Sequence, residues 1–358
     1  MQQRIHIART SDHVQLAWAR SGSGPVLVKA SNWLSHLRHD LENPVWRHWV
    51  AFLTRHFDFI RFDERGCGLS DWQVEDVSER HWLGDLETVV DAAGIAGPHV
   101  LLGISQGAAA AIRYSIKYPE RVSHLILYGG YARGGLVRGG SSAEHFRALV
   151  EMVRLGWGSR NPMFRQVFTA RFVPGGSHEQ LDWFNELART TVSPEMALRL
   201  LHERGSIDIV ELLPRVKVPT LVLHARHDEV VGFSEGKLLA AGIPGAQFVE
   251  LDSRNHVLLE HEPAWQEFQR AVREFTGVAR ADSRPADAAA LTKRERRILD
   301  LLRAGKTNAE IGTAIFISEK TVRNHLSSVY RKLGVSSRAQ AIVKTGAINA
   351  ADAETGTG

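Results

Sequence analysis

The sequence predicts an α/β protein: a mostly parallel sheet flanked by helices and covered by a helical lid, followed by a small all-α domain. Three observations carry this expectation. Short apolar, β-branched runs alternate with longer helical stretches over residues 1–276, as the strands and crossovers of a parallel sheet do. The alternation breaks over about 129–213, where aromatic residues recur in helical surroundings. Beyond it, between Leu291 and Lys344, Lys and Arg outnumber Asp and Glu by 12 to 4, so this short end carries +8 and the rest of a +4 chain carries −4.

The clearest buried strands are Pro25–Lys29, Asp58–Phe62, His99–Gly103, His124–Tyr128 and Pro219–His224. Ile5, Ile7, Val14, Leu16 and Trp18 alternate with polar residues and predict an antiparallel hairpin at the sheet edge. In the lid, Phe146, Trp157, Phe164, Phe168, Phe172, Trp183 and Phe184 have two readings, packing of lid on body or the wall of an apolar pocket. Residues 277–290 lack apolar periodicity and mix Pro, Ala and Asp, which predicts a linker between a domain at 1–276 and another at 291–350.

A chain of 358 residues is long for one domain. Apolar residues at 44% and charged residues at 23% provide for a large core and exclude wholesale disorder. No run approaches 18 apolar residues and the opening segment has no apolar signal region, so the expectation is a cytoplasmic protein with no membrane partner. Cys67 stands alone, which excludes an intrachain disulfide or a multi-cysteine metal site; no metal or other cofactor is expected.

Gly103-Ile104-Ser105-Gln106-Gly107 lies between the strand His99–Leu102 and a helix over Ala108–Tyr118. Glycines there permit a tight strand-to-helix turn that lifts the serine oxygen above the sheet. A hydroxyl is a weak nucleophile, and it needs an imidazole to take its proton and an acid to orient the imidazole. Asp228 follows the strand Leu221–His224, and His256 follows the strand Phe248–Leu251, giving the chain order Ser, acid, His. The strand ending at Tyr128 is followed by Gly129 and Gly130, so Asp228 has no rival at the alternative acid position.

At the C-terminal end, Thr292-Lys-Arg-Glu295 and Thr307-Asn-Ala-Glu310 form capping boxes that open two helices, and Ser318 caps a third. Along the third, Val322, Leu326, Val329 and Leu333 recur on one face, which turns Lys320, Thr321, Arg323, Asn324 and Ser327 outward. A short helix, a turn and a longer helix with Lys, Thr, Arg and Asn on its exposed half suit the major groove of double-stranded DNA.

The stretch from Leu291 to Ile342, with T-K-R-E at 292–295, N-A-E-I at 308–311, S-E-K-T-V-R-N-H-L at 318–326 and K-L-G-V-S-S-R at 332–338, resembles the LuxR/NarL-type helix-turn-helix, Gly312 replacing the usual Ala and Ile315 the usual Leu. That resemblance implies DNA binding as a homodimer, through a last helix at about Arg338–Lys344. Residues 1–276 resemble the α/β-hydrolase superfamily in the Ser105 elbow, in F-D-E-R-G-C-G-L-S-D at 62–71, and in the Asp228 turn and His256 loop. The resemblance implies a Ser105, Asp228 and His256 triad, with an oxyanion hole using the N–H of Gln106. The second donor comes from the loop after the third strand, where Lys29-Ala-Ser-Asn-Trp33 replaces the family's usual His-Gly and leaves Trp33 and Asn32 as candidates. The expected function is a DNA-binding transcription regulator whose hydrolase-like domain senses or hydrolyses a small, partly apolar molecule. Its alternative is an active serine hydrolase (esterase, lactonase or C–C hydrolase) with an accessory DNA-binding domain.

Overall fold

A computed structural model describes residues 3–278, 293–315, 317–333, 335, 337–338 and 340–342, without the side chains at 293, 320, 324, 328 and 331–333. The chain divides into two compact units, Met1–Ala279 and Arg280–Gly358.

The first unit is built on an eight-stranded sheet in the order β1-β2-β4-β3-β5-β6-β7-β8. β1 (Arg4–Arg9) and β2 (Gln15–Gly22) form the expected antiparallel hairpin at one edge, and β2 also runs antiparallel to β4. β3 (Val26–Lys29), β4 (Asp58–Phe62), β5 (His99–Ile104), β6 (Val122–Tyr128), β7 (Thr220–Ala225) and β8 (Gln247–Leu251) are parallel. β5 and β7 are buried at every residue, which is why their sequences are continuous apolar runs rather than alternating ones. Each predicted strand is present, β4 with the predicted bounds and β3, β5, β6 and β7 with bounds that differ by one or two residues.

Helices α1 (Arg47–His56), α2 (Glu79–Ala92) and α3 (Gly107–Lys117) connect the early strands, α8 (Phe233–Gly242) connects β7 to β8, and α9 (Pro263–Thr276) follows β8. Between β6 and β7 the chain leaves the sheet for the predicted lid, which comprises α4 (Gly140–Gly156), α5 (Met163–Ala170), α6 (His178–Thr191) and α7 (Pro194–Gly205). On the sheet face next to α1 and α9, Trp49 packs against Trp265, Phe268 and Tyr128 with ring centroids 4.6–5.0 Å apart, a spacing at which aromatic pairs add to simple burial. Gly277, predicted to begin the linker, instead caps α9 at φ 68°, and the next N–H, from Val278, bonds the carbonyl of Arg273 at 3.1 Å. The rest of the predicted linker lies outside the described residues.

The second unit holds α10 (Lys293–Arg303), α11 (Asn308–Ile315) and α12 (Glu319–Leu333) around a core of Ile298, Leu299, Leu302, Ile311, Val322, Leu326 and Val329. The second capping box forms as expected: Thr307 N–H donates to Glu310 Oε2 at 2.7 Å and Glu310 N–H to Thr307 Oγ1 at 3.3 Å. Ser318 Oγ accepts the N–H of Thr321 at 3.1 Å, capping α12. Thr292, Gly334 and, within the predicted dimer helix at 338–344, residues 339, 343 and 344 lie outside the described residues. Gly312 has a packing reason: a Cβ there would stand 2.6 Å from the carbonyl oxygen of Ile317, so the turn between α11 and α12 can close against it only without a side chain. No helix among the described residues is long and apolar enough to cross a membrane.

Candidate active site and nucleic-acid interface

Ser105 sits on the turn from β5 to α3 with φ at 54°, one of two non-glycine residues in the left-handed region among those described. Such a conformation costs on the order of 1–3 kcal/mol and persists only where the surroundings enforce it. The enforcement is visible. Ser105 N–H donates to the Tyr128 carbonyl at 2.9 Å, and Ala108 N–H returns to the Ser105 carbonyl at 3.1 Å. A Cβ on Gly103 would lie 2.8 Å from Ala108 Cα, and one on Gly107 would lie 2.8 Å from the Ser31 carbonyl oxygen. The two glycines therefore admit α3 and the loop after β3, while the serine itself takes the unusual φ.

Asp228 follows β7, and its Oδ1 accepts the N–H groups of Val230 and Val231 at 2.8 and 2.9 Å. Oδ2 accepts Nδ1–H of His256 at 2.6 Å between two buried side chains. Burial alone would push the Asp228 carboxyl up, but the charge and hydrogen bond of His256, with His224 and the Val231 N–H, hold it below the ordinary value. With Nδ1 bonded to Asp228, Nε2 of His256 is the ring nitrogen left over; it is buried and has no protein partner among the described residues. No hydrogen bond joins it to Ser105. Gly129 at φ 55° makes room for this ring, since a Cβ there would stand 3.1 Å from His256 Cε1.

The loop carrying His256 is tied down on three sides. The Leu258 carbonyl accepts His48 Nε2–H at 2.9 Å and Trp49 Nε1–H at 3.0 Å from α1. Glu262 at the start of α9 accepts from Ser253 Oγ and from Leu259 N–H. From the lid, Gly175 N–H donates to Asn255 Oδ1 at 2.8 Å, and Val257 N–H donates to the Phe172 carbonyl at 3.0 Å.

Over Ser105 lies a cavity of about 360 Å³ that Trp33, Gln106, Asp228, Phe168, Phe172 and Arg204 help to line. Both readings of the lid aromatics are realised: Phe146, Phe168 and Phe172 face the cavity, whereas Trp157 and Phe184 are buried packing residues and Trp183 is exposed. Among the oxyanion candidates, the backbone N–H groups of Gln106, Trp33 and Asn32 bond no acceptor among the described residues. Trp33 and Gln106 line the cavity; the Asn32 side chain donates to the Trp33 carbonyl at 3.3 Å instead. Sequence reasoning missed Arg204 and its partner Glu64, because a lone arginine on a helix and an acid within F-D-E-R-G carry no mark of their pairing. Cys67 is buried, and burial pushes its thiol well up, in keeping with a packed side chain.

On α12, Arg323 and Ser327 are exposed and Thr321 half-buried, its Oγ1 shared with Ser318 Oγ at 2.8 Å. Arg323 meets Glu319 at 2.9 Å, an exposed pair weak enough to yield to another acceptor. The side chains of Lys320 and Asn324 lie outside the described set.

Residues 47–264 match the family described as serine aminopeptidase, S33, and residues 289–345 match the bacterial regulatory proteins of the luxR family. The chain belongs to the α/β-hydrolase family and carries a LuxR-type helix-turn-helix. Its hydrolase part is 26% identical over 261 residues to pyrrolizixenacetamide deacetylase of Xenorhabdus hominickii, covering 73% of this chain and 94% of the relative. Its C-terminal part is 57% identical over 54 residues to spore germination protein GerE of Bacillus subtilis, covering 15% of this chain and 73% of the relative. A solved hydrolase from Pseudomonas aeruginosa superposes with a TM-score of 0.64 at 24% identity, over 76% of this chain and 98% of that one, and shows the same fold.

The His48 anchor makes the His256 loop sensitive to acid. Burial lowers the His48 pKa to about 4, so between that value and the ordinary 6.5 the unfolded chain binds a proton that the folded chain refuses. Stability is therefore expected to fall as pH drops through this window. Thermal unfolding followed by circular dichroism should show Tm decreasing from pH 7 to pH 4.5, less steeply in a His48→Phe variant; equal slopes in the two proteins would contradict the assignment.

Proposed function

We propose that this protein is a cytoplasmic, homodimeric transcription regulator that binds double-stranded DNA through α12 and senses or processes a small, partly apolar molecule in the cavity over Ser105. The observation that carries the reading is the union in one chain of a LuxR-type module with a pocket that retains Ser105, Asp228 and His256. A pure hydrolase has no use for a DNA-binding module. A pure repressor has no use for a buried imidazole nitrogen, without a partner among the described residues, in the same pocket as a strained serine.

In the chemistry this supports, Nε2 of His256 takes the Ser105 proton while Asp228 holds the ring in the productive tautomer and stabilises the imidazolium. The N–H of Gln106 and one from Trp33 or Asn32 receive the developing oxyanion. The deacetylase among the relatives supports acyl-group hydrolysis as the reaction type. A second reading, an active serine hydrolase with an accessory DNA-binding domain, draws on the short His256–Asp228 bond.

Two experiments on the full chain test these roles. A fluorophosphonate probe should label Ser105, fail on Ser105→Ala, and react about 10²–10⁴-fold more slowly with Asp228→Asn, the loss that follows when the imidazole is held in the wrong tautomer. Absence of labelling contradicts the triad, and steady turnover of simple esters favours the second reading. Genome-wide mapping of bound DNA should recover an imperfect palindrome. On that operator Arg323→Ala should weaken binding by about 1–3 kcal/mol, as loss of a base-edge contact does. Recovery of no sequence preference contradicts the regulator reading.

A further inference from the structure

The cavity contains a cation that the triad does not use. Arg204, on lid helix α7, lines the cavity and is 5% exposed. Its Nη2 donates to Glu64 Oε2, its guanidinium lies over the Trp33 ring at 4.7 Å, and Trp82 stands on it at 5.9 Å. Those contacts fix the group in place, yet its Nε and Nη1 are buried with no partner among the described residues. Buried donors without acceptors are rare in native proteins and call for an explanation. Two further donors on the lining share the condition, Nε1 of Trp33 and Nε2 of Gln106.

Charge around the cavity points the same way. Of the lining acids, Asp228 serves His256 and Glu229 pairs with Arg254 at 3.0 Å. Arg138 and Arg171 also line the cavity, and their bonds go to the backbone carbonyls of Arg133 and Glu229 at 2.8 Å rather than to a carboxylate side chain. The unmet need is for an acceptor, and for negative charge. The rest of the wall has an apolar side that includes Leu149, Phe168 and Phe172, together with polar Ser141, Ser142 and His145.

Resting on the reading of this cavity as a small-molecule site, we propose that Arg204 is its anion anchor and that the molecule it takes is a small carboxylic acid with an apolar body. The carboxylate meets Nε and Nη1 of Arg204, and the apolar body lies along Phe168 and Phe172 toward Ser105. A guanidinium already stacked on an indole and held by Glu64 loses little freedom on binding, which favours it over a lysine for this task.

The test uses the full chain and three acids of increasing length, 3-phenylpropanoate, 4-phenylbutyrate and 5-phenylpentanoate, each against its uncharged primary amide, by isothermal titration calorimetry. At least one acid should bind about 10-fold or more tightly than its amide, as a charge-assisted bond exceeds a neutral one. In Arg204→Gln/Glu64→Gln, which removes the pair without leaving a lone buried carboxylate, the preference should fall to about 1-fold. Arg204→Lys, which keeps the charge without the fork, should retain part of it and decides the matter if the double variant does not fold. A preference that persists in the double variant, or that is undiminished in Arg204→Lys, overturns the proposal, as does failure of all three acids to bind. Amides that all bind as tightly as their acids also overturn it but leave the regulator reading standing; that reading fails separately if no occupant of the cavity changes DNA affinity.

Discussion

The structure of the hydrolase-like unit depends on one backbone constraint, the left-handed conformation of Ser105 between β5 and α3. A side chain at either flanking glycine would drive into backbone at 2.8 Å, so the turn exists only because Gly103 and Gly107 let the helix and the β3 loop approach. From that turn the rest of the site follows. The loop after β3 packs on the start of α3 and brings Trp33 to the cavity; β6 passes Ser105 its carbonyl bond and then vacates space at Gly129 for the His256 ring. The strain is stored where the chemistry is expected and is held by packing elsewhere.

A second layer of interactions holds the movable parts against this rigid centre. The His256 loop is joined to α1, to α9 and to the lid by separate hydrogen bonds, so a shift of the lid at Phe172 or Gly175 is felt directly beside His256. The lid is also joined to the loop after β4 by the buried Arg204–Glu64 pair, which links residues 140 positions apart. Breaking one partner of such a pair is costly because it leaves the other charge buried. The lid is thus both the roof of the cavity and tied directly to the His256 loop, which supports the proposed reading of it as a sensor.

Much of this was legible in the sequence, for identifiable reasons. Fully buried parallel strands write continuous apolar runs, so β5 and β7 could be drawn from residue type alone. The elbow was legible because its glycines are demanded by sterics, and Asp228 and His256 because each follows a readable strand. The capping boxes at Thr307 and Ser318 were legible because capping is local. Other features depend on approach through space and leave no local trace. Nothing near Leu258 announces that its carbonyl collects two side chains from α1. Helical periodicity could not divide the lid aromatics between wall and packing, since both faces of a lid helix are apolar when one meets the body and the other a cavity. Gly277 was misplaced in the linker because a glycine that caps a helix and one that begins a flexible segment look alike in sequence. Arg204 was invisible for a related reason: its meaning lies in the donors its neighbours leave unpaired.

The central claim is that occupancy of the cavity over Ser105 alters DNA binding by the same chain. Its most direct test is fluorescence anisotropy of the full-length protein on its own operator, before and after stoichiometric modification of Ser105 by a fluorophosphonate that fills the cavity. A coupling of ordinary size shifts the dissociation constant by about 5-fold or more. An unchanged dissociation constant with Ser105 fully modified would contradict the account.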